Sequence, residues 1–260
     1  TDIYGDNYPA DKRATFFSKP LLLSVGIAAL SGFIGSWFLE LDIKNYHWIF
    51  MFLGFCAMAK AFAIYSMPSK KVENTPHTHP FGNMKYIWLD KSFGYVLLTW
   101  FIMGFANLWT LPLRIDYITA PEWGIEGSAM FVAMIITVIP ETLRMLLIPY
   151  WASLFDRMNF VVLRMILNLF FGLGVLLFFV TSNPWIIGLG AGLIGAAFAG
   201  GSIAWNLWVT KYAPPGKTGA YMSVHVSLTG IRGTIGPILG FWTVNQIGAQ
   251  NIGILSCSMM

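Results

Sequence analysis

Long runs of apolar residues fill most of the chain, and short polar stretches separate them. A helix needs about 20 consecutive apolar residues to cross the hydrocarbon core of a bilayer. Seven runs reach that length, and an eighth begins near Asn251 and stops at the end of the sequence, as expected for a fragment. The seven predicted spans cover roughly 17–39, 46–67, 93–114, 128–151, 159–181, 184–210 and 220–244. The pattern predicts an all-α, polytopic membrane helix bundle with seven complete spans and a truncated eighth.

The composition supports a membrane protein. The chain is 56% hydrophobic and only 11% charged, whereas soluble domains carry about 25% charged residues. Its 16% aromatic content, with 11 Trp, is typical of proteins with aromatic belts at the membrane interfaces. We therefore expect a multi-pass integral protein of the plasma or inner membrane, with the lipid bilayer as a partner and no nucleic-acid partner.

Basic residues are concentrated in alternate loops, which predicts the orientation of the chain. Cytoplasmic loops carry an excess of Lys and Arg. One set of loops holds Lys12, Arg13, Lys19, Lys70, Lys71, Lys85, Lys91, Arg157, Lys211 and Lys217, whereas the opposite set holds only Lys44. The segment before the first span is therefore predicted to be cytoplasmic. Five basic residues remain in or beside the spans, namely Lys60, Arg114, Arg144, Arg164 and Arg232.

Motifs for metals and nucleotides are lacking in the sequence. Cys56 and Cys257 form no C-x-x-C pair. His77 and His79 form an isolated H-x-H, whereas a zinc site uses three or four ligands. The stretch at 214–219, "PPGKTG", lacks the earlier glycine of a phosphate-binding loop and follows a predicted membrane helix. We expect no metal site and no cofactor.

Glu141 and Arg144 are the most unusual polar residues, because they lie inside the fourth predicted span. A charged side chain at the bilayer centre costs roughly 2.5–3.5 kcal/mol on insertion scales. Residues three apart share one helix face, so the two side chains can pair. Three interpretations remain open: a self-neutralised structural pair, part of a water-filled pathway for a solute or a proton, or side chains that snorkel to the membrane interface.

Arg232 and His225 lie in the seventh predicted span, and Arg232 has no acidic residue in its own helix. It either contacts Glu141 on another helix or holds an anionic group of a solute, for which a guanidinium is well suited. His225 is a candidate for proton exchange because its reference pKa is about 6.5. The alternative is a hydrogen-bonded packing histidine.

Two pairs of neighbouring amide and aromatic residues complete the candidate pathway. Asn107 and Trp109 lie in the third predicted span, and Trp205 and Asn206 lie near the inner end of the sixth.

In the seventh span Gly236, Pro237 and Gly240 predict a helix bend, because proline removes one backbone hydrogen bond.

The beginning and the end of the chain resemble each other. "YPADKRATFF" starts at Tyr8 and "YAPPGKTGAY" starts at Tyr212, and both precede a glycine-rich span that ends in G-x-W. A single offset aligns Lys12 with Lys217 and Trp37 with Trp242. Repeats in the same orientation characterise the two halves of one large class of transporters.

A short loop motif carries a further resemblance. The stretch "SLFDRMNF" resembles the G-x-x-x-D-R-x-G loop of the major facilitator superfamily of secondary transporters, with Asp156 and Arg157 as its acid–base pair. Ala152 and Asn159 stand where the motif has glycine. "YPADKRA" resembles the family's Pro-x-x-x-Arg turn before the fifth helix, and "GPILG" resembles its glycine–proline helix bend.

The resemblance implies a domain organisation and a function. Residues 1–67 would end the N-terminal half-bundle, 68–92 would form the central cytoplasmic loop, and 93–260 would form a truncated C-terminal half-bundle. The family implies transport of a small solute by alternating access, with a proton or another ion as candidate coupling partner, and no enzymatic activity. A membrane scaffold or sensor that does not transport is the alternative.

The resemblance also implies roles for particular regions. In the family the loop aspartate caps a neighbouring helix and stabilises one gate conformation. For Asp156 a helix N-terminus such as the one near Gly219 is the expected partner. The third, fourth, sixth and seventh predicted spans would line the central cavity.

Overall fold

The structure is a computed structural model that describes residues 9, 11–66, 81–123, 125 and 127–260. This part of the chain is built of helices and turns without strands, as predicted. The α-helices are α1 (Arg13–Leu41), α2 (Tyr46–Tyr65), α3 (Tyr86–Leu89), α4 (Lys91–Thr110), α5 (Leu113–Thr119), α6 (Ala129–Ala133), α7 (Ile139–Arg157), α8 (Phe160–Phe179), α9 (Pro184–Leu207), α10 (Thr218–Ile247) and α11 (Ala249–Ser258). A π-helical turn, Met134–Val138, joins α6 to α7. Residues 67–80, which include part of the loop predicted at 68–92 together with His77 and His79, lie outside the described residues.

Six helical stretches of the described chain are long and apolar enough to cross a bilayer. They are Arg13–Leu41, Ile43–Ala63, Lys91–Thr119, Ala129–Arg157, Phe160–Phe179 and Pro184–Lys211. They correspond to the first six predicted spans. The seventh predicted span is the continuous 30-residue helix α10, which is not among the six. Its many glycines and hydroxyl side chains, together with Arg232, lower its hydropathy without interrupting the helix.

Side-chain caps explain where several helices begin. Asp90 accepts a hydrogen bond from the Phe93 N–H at 3.0 Å at the start of α4. Asn159 and Asn183 accept in the same way at the starts of α8 and α9. These caps satisfy amides that have no partner within the helix.

The internal repeat is visible in the two longest helices. The first begins immediately after Lys12 and the second immediately after Lys217, the two lysines that the sequence repeat aligns. The helices contain 29 and 30 residues. Equivalent positions in the repeat therefore start equivalent helices.

Glycines let the central helix α9 pack closely against its neighbours. An added Cβ at Gly195 would lie 2.3 Å from the carbonyl oxygen of Pro140 on α7. Gly190 and Gly174 pack α9 against α8, since a Cβ on either would lie under 3.0 Å from the other's carbonyl oxygen. Small residues permit such close backbone approach within a bilayer, where there is no hydrophobic driving force between helices.

Two buried apolar clusters hold the bundle together. One contains Trp100, Trp151 and Trp208, and the other contains Tyr117, Phe171 and related side chains. Many other large apolar residues are exposed, including those along α2, and this surface suits a lipid environment. Lys60 on α2 is exposed as well.

Candidate functional site

A cavity of about 330 Å³ is bordered by residues of both buried clusters, including Trp100 of the first and Phe171 of the second. Its walls come from six helices: α1, α4, α7, α8, α9 and α10. We call it the central cavity; it is lined by Leu21, Trp100, Met103, Gly104, Asn107, Leu108, Arg144, Arg164, Phe171, Phe198, Gly201, Ser202, Trp205, Asn206, Thr229 and Arg232. None of these described lining residues is acidic. A volume of this size accommodates a small organic molecule.

The cavity brings together most of the pathway residues that the sequence suggested. Asn107, Arg144, Trp205, Asn206 and Arg232 all line it, although they come from four helices. The helices α1 and α8 also contribute to its walls, beyond the four spans expected from the family resemblance. The sequence alone therefore identified much of the lining but not all of its walls.

Glu141 and Arg144 form an ion pair. Arg144 Nη1 lies 3.0 Å from Oε1 and 3.1 Å from Oε2 of Glu141, and both side chains are 21% exposed. Arg144 Nη2 also donates to Ser202 Oγ at 2.7 Å, which joins α7 to α9. The charge of Arg144 is thus balanced within its own helix while the side chain still borders the cavity.

Pro140 and the π-helical turn lie directly before this pair. Proline has no N–H to donate to the preceding turn, and a π-helical turn accommodates such an interruption. The Pro140 carbonyl faces Gly195, so α9 fixes the backbone next to Glu141. The Glu141–Arg144 ion pair therefore directly follows an irregular turn of the membrane helix that is tightly packed against α9.

Arg232 is buried, with 6% of its surface exposed, and does not reach Glu141. Its Nη1 donates to the carbonyl oxygen of Trp100, and its Nη2 donates to Thr229 Oγ1 at 3.2 Å. Gly104 makes room for it, because a Cβ there would lie 1.9 Å from Nη1. The guanidinium consequently has hydrogen-bond acceptors but no carboxylate within this network.

Arg164 is a charged lining residue that was not among the predicted pathway residues. It is 4% exposed, and its guanidinium carbon lies 3.6 Å from the ring centroid of Trp100. None of its three guanidinium nitrogens has a hydrogen-bond partner among the described residues. The available signal was the same as for Arg232, an arginine deep in an apolar run, "FVVLRMILNL", without a nearby acid.

The interactions of Arg164 do not offset the cost of its burial. On insertion scales an arginine costs most at the bilayer centre, roughly 2.5–3.5 kcal/mol, and this is the upper bound for Arg164, the fifth residue of α8. Stacking on an aromatic ring returns about 0.5–2 kcal/mol. Arg164 therefore keeps a buried positive charge whose donors find no acceptor among the described residues, which is unfavourable unless a negative group faces it.

His225 lies behind the cavity in an aromatic cage. Its ring centroid is 5.3 Å from those of Trp100 and Trp205 and 5.5 Å from that of Trp208, and the residue is 1% exposed. Its Nε2 has no hydrogen-bond partner within the described structure. His225 thus contacts two lining residues without lining the cavity itself.

Trp109 and the predicted helix bend belong to the contact between α4 and α10. Trp109 Nε1 donates to Thr243 Oγ1 at 2.8 Å, and Trp109 does not line the cavity. Gly240 packs on the Trp109 carbonyl and Gly236 on Leu108. Pro237 lies inside the continuous helix α10. The two glycines therefore have a packing role at this contact.

Asp156 caps a helix other than the one suggested from the sequence. Its Oδ1 accepts from the Ala14 N–H at 3.1 Å, and its Oδ2 accepts from Thr15 N–H at 3.2 Å and Thr15 Oγ1 at 3.0 Å. These residues open α1, whereas the suggested partner near Gly219 opens α10. We call this contact the Asp156 clasp. Arg157, the last residue of α7, is exposed.

A second contact joins the opposite ends of the same helices. Glu40, at the end of α1, accepts a hydrogen bond from the Met130 N–H at 2.8 Å, at the start of α6. We call it the Glu40 clasp. Because the two helical stretches run antiparallel, each provides a carboxylate to the N-terminus of the other, where partial positive charge is concentrated.

Within the described ranges, no group of three or more His, Cys, Asp or Glu residues is arranged to hold a metal ion. Comparison with curated proteins gives no match. A family model for the Major Facilitator Superfamily matches residues 5–237, which is most of the chain. The chain therefore belongs to the Major Facilitator Superfamily of membrane transporters and is a multi-pass integral membrane protein.

Proposed function

We propose that the protein is a secondary transporter that moves a small solute through the central cavity by alternating access. The observation that carries the proposal is the cavity itself, which collects polar side chains from several membrane helices around a space of about 330 Å³. Polar and charged groups inside a membrane bundle are expensive unless they serve a cavity or a partner. Family membership supports transport as the general activity.

Our proposal assigns 1–67 to the end of one half-bundle, 68–92 to a cytoplasmic loop and 93–260 to the second half-bundle. On this division α1 and the α6–α7 stretch belong to opposite halves. The Asp156 and Glu40 clasps then hold the halves together at the two membrane faces. Transport would require each clasp to open in turn.

The Glu141–Arg144 pair is our candidate for proton coupling. Protonation of Glu141 would break the ion pair and free Arg144, which already donates to Ser202 across the cavity wall. Removal of one partner from a buried ion pair costs about 3–5 kcal/mol, so protonation of Glu141 would change the energy of the cavity wall. A proton gradient across a plasma or inner membrane would then supply the energy for transport.

Cysteine labelling from the two sides of the membrane tests alternating access without knowledge of the solute. Gly201→Cys places a thiol on the cavity wall, because a Cβ there would make only ordinary contact, 3.5 Å, with Phe171. The full-length protein would be used after replacement of its native cysteines, including Cys56→Ser and Cys257→Ser. Control thiols would be placed at the exposed positions Ser182, between α8 and α9, and Pro215, between α9 and α10. These two connections lie at opposite ends of α9, so each control thiol reports reagent access from one membrane face.

We expect a membrane-impermeant thiol reagent to modify Gly201→Cys from either side, with each control thiol reacting from one side only. A scaffold or sensor that does not transport would leave Gly201→Cys unreactive from at least one side. Equal, unhindered reaction from both sides with concurrent ion leakage would indicate a channel and contradict the carrier.

A further inference from the structure

We propose that the solute is a small organic anion whose negative group is held between Arg164 and Arg232. This inference rests on the proposed function, since it names the class of solute that the central cavity would carry. It depends on the charge and hydrogen-bond state of the lining residues rather than on family membership.

The two guanidiniums meet at Trp100. Arg164 lies over the indole ring of Trp100, and Arg232 donates to its carbonyl oxygen. Both side chains line the same cavity and are at least nine-tenths buried. Two like charges in one buried place repel each other unless a negative group lies between them.

The unpartnered donors show where such a group would bind. All three guanidinium nitrogens of Arg164 lack partners among the described residues, and so does Nε of Arg232. A planar guanidinium offers two parallel N–H groups to a carboxylate or a phosphate. Arg144 differs from both, because Glu141 already accepts two hydrogen bonds from it.

The other walls restrict the rest of the solute. Apolar and aromatic lining dominates, with Met103, Phe171, Phe198 and Trp205 among the residues around the arginines. Ser202 and Thr229 provide hydroxyl groups, which accept hydrogen bonds from Arg144 and Arg232, respectively. The cavity thus matches a compact molecule with one anionic group and a mainly apolar or aromatic body.

Paired reagents of opposite charge test the proposal directly. The anionic sulfonatoethyl and the cationic trimethylammonioethyl methanethiosulfonates would be applied to Gly201→Cys, and their rate ratio compared with that at Ser182→Cys. We expect the ratio of the anionic to the cationic reaction rate to be about tenfold or more higher at Gly201→Cys than at Ser182→Cys, because a charged cleft concentrates ions of opposite sign. Arg164→Gln should remove most of this anionic preference, whereas Lys60→Gln, which removes an exposed cation elsewhere in the membrane helices, should leave it unchanged.

Protection experiments identify the anion. Benzoate, phenyl phosphate and neutral benzamide would be tested as protectants of Gly201→Cys. Protection by benzoate assigns a carboxylate, and protection by phenyl phosphate assigns a phosphate. Equal protection by benzamide, no protection by either anion, or equal reagent ratios at both thiols would overturn the proposal.

Two further variants guard against misfolding of the glutamine variant. Arg164→Lys keeps the charge and should retain part of the anionic preference while weakening protection, because an ammonium lacks the planar fork. Gly104→Ala displaces the Arg232 guanidinium without removing a charge and should also weaken protection. If Gly201→Cys reacts from one side of the membrane only but still prefers the anionic reagent, the result would contradict transport by alternating access and would still support the anion site.

Discussion

Arg164 carries the most informative side chain of the molecule at the scale of single residues. It is buried, stacked on Trp100, and without hydrogen-bond acceptors in the described structure. An arginine kept for packing would usually gain an acceptor or a carboxylate, as Arg232 and Arg144 do. Its isolated state is therefore a cost to stability that binding of an anion would offset.

Replacement of this arginine should stabilise the protein when no anion is added. Arg164→Met keeps a flexible apolar side chain over the Trp100 ring and removes the uncompensated charge. The balance between burial and stacking predicts a gain of up to about 3 kcal/mol. A higher melting temperature in detergent without added anion would agree with this, and a fall of several degrees would show that Arg164 is mainly structural.

Glu141 gives a separate prediction for proton coupling. Glu141→Gln cannot change charge with pH, so the pH dependence of solute uptake in proteoliposomes should flatten. The exposed Glu122→Gln provides a matched loss of one carboxylate outside the bundle interior and should keep the dependence of the native protein. An unchanged pH profile in Glu141→Gln would exclude this carboxylate as the coupling group.

Sequence reasoning at this scale recognised polar residues in apolar surroundings but not their partners. Asn107, Arg144 and Arg232 were selected because charge and amide groups are rare in membrane spans. Arg164 also lies in an apolar run without a nearby acid. Its burial follows from its contact with Trp100, a residue 64 positions earlier in the chain, and the sequence does not reveal that contact. Trp109 was selected from its neighbours and instead binds Thr243.

At the scale of elements, close packing and caps determine how the helices meet. Apolar run length predicted the helices well, because crossing a bilayer imposes a minimum length on each of them. It could not predict that Asp156 caps α1, because that contact joins residues 142 and 141 positions apart. A negative charge is favourable at the N-terminus of any helix. Only the packing of the bundle determines which helix Asp156 caps.

Packing at Gly195 gives a test of the contact between α7 and α9. Gly195→Ala would place a Cβ 2.3 Å from a backbone oxygen, which cannot move as a side chain does. Overpacking of this kind costs about 1–3 kcal/mol, so the melting temperature should fall by several degrees. Gly233→Ala is the control, since a Cβ at this exposed position meets no atom within 4 Å; an equal fall in both variants would contradict the assignment.

The Asp156 clasp predicts a shift between conformations. Asp156→Ala removes three hydrogen bonds to the first turn of α1. Loss of a helix cap costs about 0.5–2 kcal/mol, so the population open at that face should rise by about 2- to 30-fold. The measurement is the labelling rate of Gly201→Cys from the cytoplasmic side.

Asp156→Asn serves as the graded comparison, because an amide retains one acceptor oxygen. It should have a smaller effect than the alanine variant. If both variants label at the native rate, the clasp does not control access to the cavity.

At the scale of the whole molecule, α1 and the antiparallel α6–α7 stretch are linked at both ends and form part of the wall of the central cavity. The Asp156 and Glu40 clasps lie at opposite ends of the same helical pair, so opening at one end is compatible with closure at the other. This arrangement connects the local hydrogen bonds to the proposed function. A mobile bundle needs contacts strong enough to define each state and weak enough to exchange.

A disulfide that locks the Asp156 clasp tests alternating access through the central cavity directly. Thr15→Cys and Asp156→Cys replace side chains in direct contact, with Thr15 Oγ1 and Asp156 Oδ2 3.0 Å apart. Oxidation before labelling should abolish modification of Gly201→Cys from the cytoplasmic side, preserve it from the outer side, and be reversed by reduction. Modification from both sides that is unaffected by the disulfide would contradict alternating access through the central cavity.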